Sequence, residues 1–201
     1  MTAHLLHGYN VTDGGQGTIA RWAPYLERRG FDVAVHDLGR KRLLTLRRQN
    51  REAVARLLDL IKPGDVIGAH SNAALVTHKL VRAGAPLAAV VVFQPALRRD
   101  TYWPPYLPVL NVCNGGDLVV QFGRVWGRLS TIARMKAHGW GAAGRYGFTT
   151  GQPNVINRFT DDTPGFPVVT GHSTIFKSSH GRPHLDAAAR WMERAVVPGL
   201  A

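Results

Sequence analysis

The stretch DVIGAHSNAALVTHKLVRAG, residues 65–84, reads as an apolar strand that breaks directly into a helix, with Ser71 at the break. A strand that passes into a helix without an intervening loop must turn sharply. Such a turn can lift the Ser71 hydroxyl out of the main chain, while the next backbone N–H faces charge that develops on an approaching carbonyl. AHSNA is a loose form of G-x-S-x-G, with Ala69 and Ala73 where glycines usually sit. Methyl groups at those two positions predict a strain of order ~1–3 kcal/mol. A plainer reading makes the same residues a helix N-terminus capped by Ser71 or Asn72.

Working outward, short apolar runs alternate with helical patterns along nearly the whole chain. Strands are predicted at 2–7, 31–38, 65–71, 87–93 and 108–113, all rich in Val, Leu, Ile and Ala without strict alternation. That is how strands buried on both faces read. Helices are predicted at about 17–29, 42–61, 72–83, 119–137 and 184–197. Ile19, Trp22 and Leu26 form an apolar stripe on the first, and Leu185, Ala188, Met192 and Val196 on the last. Gly30 and Gly84 fall where helix C-caps are expected, and Pro183 suits a first turn. Pro24 predicts a kink or a later start for the first helix. The alternation implies an α/β fold, a compact, mostly parallel, doubly wound sheet with helices on both faces. Ligands then belong at the carboxyl ends of the strands. Two irregular stretches interrupt the rhythm, 96–108 and a longer interval over 138–167 in which FPVVT (166–170) reads as strand-like; long irregular segments tend to be functional loops.

A chain of 201 residues fits one domain able to bury a substantial core, so residues 1–201 read as a single unit. The lone Cys113 cannot form an internal disulfide and reads as a small buried residue. No apolar run approaches the ~20 residues of a membrane span, and the first residues lack a signal-peptide pattern, so a cytoplasmic location is expected. Net charge is +12, concentrated in RKRLLTLRRQNREAVARLL at 40–58. There Leu43, Leu46, Leu57, Leu58 and Ile61 can share one helical side, with Arg47, Arg48, Arg51 and Arg56 on the other. A solvated face explains this better than a nucleic-acid site, since no nucleic-acid-binding motif accompanies it. A polyanionic substrate or surface stays open.

The strand ends supply a short set of chemical groups. The first strand runs into His7-Gly8-Tyr9-Asn10, the third into Ser71, the fifth into NGGDLVV with Asp117, and FPVVT into Gly171-His172-Ser173. Serine, aspartate, histidine is the chain order found on doubly wound hydrolase sheets. The chemistry needs each group. A serine hydroxyl requires a base, histidine with an ordinary pKa near ~6.5 suits that task, and a carboxylate fixes the imidazole tautomer. With HG after the first strand, GAHSNAA, PVLNVCNGGDLVV and GHSTIF, the sequence resembles the α/β-hydrolase family in its small lipase- or esterase-like form, over nearly its whole length. The resemblance implies a catalytic triad of Ser71, Asp117 and His172. It also implies an oxyanion hole formed by the backbone N–H groups of Tyr9 and Asn72.

Rivals exist for each role. His180 and His184 compete with His172, but Pro183 between them disfavours a helical zinc pair, and neither a metal nor a cofactor is expected. His70 reads as a packing neighbour, His4 and His7 as local hydrogen-bonding groups. Asp161 and Asp162 compete with Asp117, with a solvated turn as their simpler role, and Asp37 reads as supporting. Tyr102, Trp103 and Trp140 in the irregular stretches either wall an acyl pocket or pack the loops. The expected reaction is hydrolysis of a small or lipid-like ester through an acyl-enzyme. The alternatives are an acyltransferase or thioesterase, and an inactive binding protein that uses its basic surface.

Overall fold

The computed structural model describes residues 1–40, 45–119, 140–149 and 151–196. Six parallel strands form one sheet: β1 (Thr2–Leu6), β2 (Asp32–His36), β3 (Val66–His70), β4 (Ala89–Phe93), β5 (Val109–Cys113) and β6 (Val155–Phe159), in the order β2-β1-β3-β4-β5-β6. The register sets Leu5 beside Gly68, and His70 beside Phe93. In β3, β4 and β5 every residue is buried, whereas the edge strands β2 and β6 are mostly half-exposed. The continuous apolar runs have this cause: central strands meet helices on both faces, so neither face selects polar residues.

The helices are α1 (Ala23–Glu27), α2 (Leu46–Leu58), α3 (Ala73–Arg82), α4 (Ala143–Tyr146), α5 (Thr174–Lys177) and α6 (Arg182–Val196). One face of the sheet packs on α2, α3 and α4 through Leu57, Ala73, Val76, Leu80, Ala143 and their neighbours. The other packs on α1, α5 and α6 through Leu26, Ile175, Leu185, Ala188 and Met192. Trp22 anchors this second layer. Its indole donates to Leu185 O at 2.8 Å, and its ring lies edge-on to Phe93 at 4.9 Å. Gly68 admits that ring, for a Cβ there would stand 2.4 Å from Trp22 Cζ3.

Local chemistry sets the helix limits. A 3-10 turn over Ile19–Trp22 precedes α1, which places Pro24 in the first turn, where its missing N–H leaves no bond unmade. Gly30 and Gly84 follow α1 and α3 with φ of 79° and 87°. On α2, Leu46, Ala53 and Leu57 are buried while Arg47, Arg48, Arg51 and Arg56 face solvent. Leu43 and nearly all of the expected helix over 119–137 fall outside the described residues.

Two expectations need correction. Phe166–Thr170 is not a strand, and β6 lies instead at Val155–Phe159, inside the interval the sequence assigns to loop. Asn157 and Arg158 interrupt the apolar run of VINRF, and an edge strand tolerates them because it is only half covered. The FPVVT segment returns alongside the end of β6. Val169 N–H donates to Thr160 O at 3.1 Å, and Thr160 Oγ1 donates to Val169 O at 2.9 Å. Among the described residues no helix is long and apolar enough to cross a membrane.

Candidate active site

Three non-glycine residues have positive φ among the described residues: Asn10 (57°), Ser71 (57°) and Gln94 (42°). They follow β1, β3 and β4, so the backbone strain gathers at the carboxyl ends of neighbouring central strands. Residues held in this conformation cost of order 1–3 kcal/mol each and persist where the surroundings impose them. At Ser71 the imposing contacts are visible. Its N–H donates to Phe93 O at 3.0 Å, and its carbonyl accepts from Ala74 N at 3.2 Å and Ala96 N at 3.1 Å. Ser71 is therefore not an ordinary N-cap. Asn72 holds the cap position of α3, without a side-chain capping bond. The expected strain at the flanking alanines is relocated: Ala69 ends inside β3, Ala73 begins α3, and the left-handed angle sits on the serine itself.

The segment after β1 passes directly over this turn. A Cβ on Gly8 would stand 2.8 Å from Ser71 Cβ and 3.3 Å from Ser71 Oγ, so only glycine lets the main chain come so close. His7 fixes that segment from below: fully buried, its Nδ1–H donates to Gly8 O at 3.1 Å and its Nε2 accepts from Leu38 N at 2.8 Å. Asp37 Oδ1 lies 3.2 Å from the same Nε2. Its carboxyl is held below the usual range chiefly by the Gly39 N–H. Among the described residues, neither the Tyr9 nor the Asn72 backbone N–H has an acceptor. Tyr9 follows Gly8, whose main chain passes over the turn, and Asn72 follows Ser71 itself.

Asp117 closes the NGGD turn after β5, where its N–H donates to Asn114 O at 3.0 Å. Its side chain is fully buried and its Oδ2 lies 2.7 Å from His172 Nδ1. The carboxylate can only accept, so Nδ1 carries the proton and Nε2 is left with a lone pair for other chemistry. The His172 ring is 4.8 Å from that of His70, the residue before Ser71. Among the described residues no hydrogen bond joins Ser71 Oγ to His172 Nε2. His70 itself is pushed down to about 3, by burial first and by its His172 neighbour next, so it stays neutral in the ordinary pH range.

The aromatic candidates separate. Trp140 reaches the site: its indole N–H donates to Asn72 Oδ1 at 2.9 Å, and Tyr9 packs edge-on against its ring at 5.9 Å. Trp103 is fully buried between His78 and Phe148, which makes it core packing rather than a pocket wall. Tyr102 lies beside α3, its carbonyl accepting from His78 Nε2, more than a helical turn beyond Asn72. With His78, Arg82, Arg98 and Asp100 it lines an open groove of about 470 Å³. Of the rival groups, Asp161 accepts from Gly115 N at 3.0 Å and so braces the turn that carries Asp117, while Asp162 is exposed. His184 is buried and donates to Pro167 O at 2.8 Å.

Two residues that matter here escaped the sequence reading. Asn50 on α2 is buried and accepts from Asn72 Nδ2 at 3.2 Å, so the residue after the serine is tied from both ends of its carboxamide. A polar residue in register with Leu46, Ala53 and Leu57 was the available signal. Asn114, fully buried, opens the turn that carries Asp117 and accepts from Gly116 N at 2.9 Å.

No protein-family model matches the sequence, and no curated protein matches it. Solved structures do. One is a hydrolase assigned to the alpha/beta superfamily from Xanthomonas campestris pv. campestris, with a TM-score of 0.54 at 17% identity, covering 97% of this chain and 95% of that one. A monoacylglycerol lipase of Paleococcus ferrophilus gives 0.56 at 13%, covering 96% and 94%. The esterase Pf2001 of Pyrococcus furiosus gives 0.59 at 14%, covering 98% and 83%.

Proposed function

Starting from the α/β-hydrolase fold that this chain carries, we propose that it is a serine hydrolase of ester bonds. Ser71 acts as nucleophile, His172 as general base and acid, and Asp117 as the group that orients the imidazole. The observation that carries this reading is the 2.7 Å pair between a fully buried Asp117 and Nδ1 of His172, whose ring lies 4.8 Å from that of His70, the residue before a serine held at φ 57°. A buried carboxylate bound to one imidazole nitrogen gives the other nitrogen a defined lone pair, as base catalysis requires. A strained strand-to-helix turn is the arrangement that points a nucleophilic serine oxygen toward a substrate and aligns the following N–H. The esterase and lipase named among the matching structures support the same class of reaction.

In the first half-reaction Ser71 Oγ bonds to the ester carbonyl carbon and its proton passes to His172 Nε2. The Tyr9 and Asn72 N–H groups receive the oxyanion, where preorganised donors are worth about 3–4 kcal/mol each. Collapse breaks the bond to the alcohol oxygen, which takes the proton from His172. Water then attacks the acyl-serine, gives its proton to His172, and the second collapse frees the acid and restores the Ser71 hydroxyl. The Ser71 and His172 atoms must close to hydrogen-bond distance in the substrate complex, as catalytic contacts commonly do. Trp140 and Tyr9 form the apolar wall beside the oxyanion donors, which favours an uncharged organic group there.

Turnover of p-nitrophenyl esters of graded chain length tests the reading. Ser71→Ala is expected to lower kcat by about 10⁶-fold, and Asp117→Asn by about 10⁴-fold. A Ser71→Ala protein that kept most of its esterase activity would end the proposal.

A further inference from the structure

The histidine loop is held by its main chain as well as by the Asp117 carboxylate. Asn114 Nδ2 donates to Gly171 O at 3.1 Å, and His70 Nε2 lies 3.0 Å from His172 O. A carbonyl can only accept, so His70 carries its proton on Nε2 and donates it. These are consecutive carbonyls, one on each side of the His172 N–H. The two donors are placed with equal economy. His70 immediately precedes Ser71, and Asn114 opens the turn that Asp117 closes. Ser71 and Asp117, the partners of the imidazole in the proposed reaction, are therefore each a near neighbour, along the chain, of a group that grips the histidine backbone.

Neither donor has freedom to drift. Asn114 is fully buried, its N–H donates to Gly144 O at 2.8 Å, and its Oδ1 is occupied by Gly116 N. His70 is 2% exposed, with its ring edge-on to Phe176 at 5.1 Å and beside the His172 ring. Its Nδ1 has no partner among the described residues, so the bond to His172 O is the ring's one polar attachment there. Burial holds the ring neutral, and the His172 carbonyl, which can only accept, fixes its proton on Nε2.

We propose that His70 and Asn114 are positioning residues that register the His172 imidazole against Ser71 and Asp117 by clamping the two carbonyls of the histidine loop. The inference rests on the hydrolase reading above. A displacement near 1 Å in a reacting group can lower the rate by about 10²-fold without touching binding, so the signature is a loss in kcat with KM unchanged.

The test compares wild type with His70→Leu, His70→Gln and Asn114→Asp on a p-nitrophenyl ester. His70→Leu and Asn114→Asp, each lacking the donor, are expected to lower kcat by about 10–100-fold with KM within about twofold. His70→Gln keeps an N–H donor and is expected to recover much of that loss. Unchanged kcat in both donor-less variants, or a rise in KM alone, overturns the clamp. A nitrogen NMR spectrum of backbone-assigned wild type needs no variant: the His70 ring is expected to carry its proton on Nε2, and a ring protonated on Nδ1 alone, with nothing on Nε2 to donate to His172 O, overturns the proposal. Wild type that neither hydrolyses esters nor is labelled at Ser71 refutes the hydrolase reading instead. An active wild type with indifferent variants refutes only the clamp.

Discussion

At Ser71 the backbone is held in the left-handed region by three main-chain bonds from β4, its sequel and α3. A residue with a Cβ is strained there whatever its side chain, whereas glycine is not. Ser71→Gly is therefore expected to be more stable than Ser71→Ala by about 1 kcal/mol, within the range such angles cost. Urea denaturation of the two variants measures the difference, and an equal midpoint would mean that the turn relaxes freely. The same reasoning marks the boundary of what the sequence discloses about the site. Ser71, Asp117 and His172 stand out because apolar runs end beside them, and turn residues such as NGGD mark the ends. Asn50, Asn114 and the His70 bond stay hidden because they act on backbone or amide groups distant in sequence, and nothing in local spacing encodes such a partner.

At the scale of elements, β3 combines two demands: it must end in the strained serine and also accept Trp22 from the α1 side. Gly68 answers the second. A methyl there would meet Trp22 Cζ3 at 2.4 Å and Leu5 Cδ2 at 2.8 Å, in a layer with little room to give. Overpacking of this kind costs about 1–3 kcal/mol. Gly68→Ala is expected to lower the thermal midpoint accordingly, and an unchanged midpoint would show that the Trp22 layer is loosely packed. The central strands were legible because burial on both faces leaves unbroken apolar runs. β6 was not, since an edge strand carries Asn157 and Arg158 and so imitates a loop. FPVVT misled in the opposite sense: its Val169 is buried against the end of β6 without joining the sheet's ladder.

At the scale of the whole molecule, several histidines are held neutral by the fold. His70 is pushed down to about 3 and half-buried His36 to about 4, with burial the leading cause in both; burial also lowers His78 and His184. In the unfolded chain these imidazoles take protons near pH ~6.5. Between that value and the folded ones the unfolded state binds more protons, so stability falls as the pH falls. The loss begins below about pH 6.5 and continues through pH 4. There Asp13 and Asp37, lowered chiefly by backbone N–H groups, add to it. Urea midpoints measured from pH 8 to pH 4 are expected to decline steadily below pH 6.5, and a level profile to pH 4 would contradict the buried neutral histidines.

One reagent interrogates the chemistry at the top of the sheet directly. An alkyl fluorophosphonate reacts with a serine only when a base activates the oxygen and donors await the phosphoryl oxygen. Mass spectrometry of the treated protein is expected to find a single modification, on the peptide containing Ser71, and none after His172→Ala. A folded wild-type protein that takes no label, or takes it on another residue, would contradict the assignment.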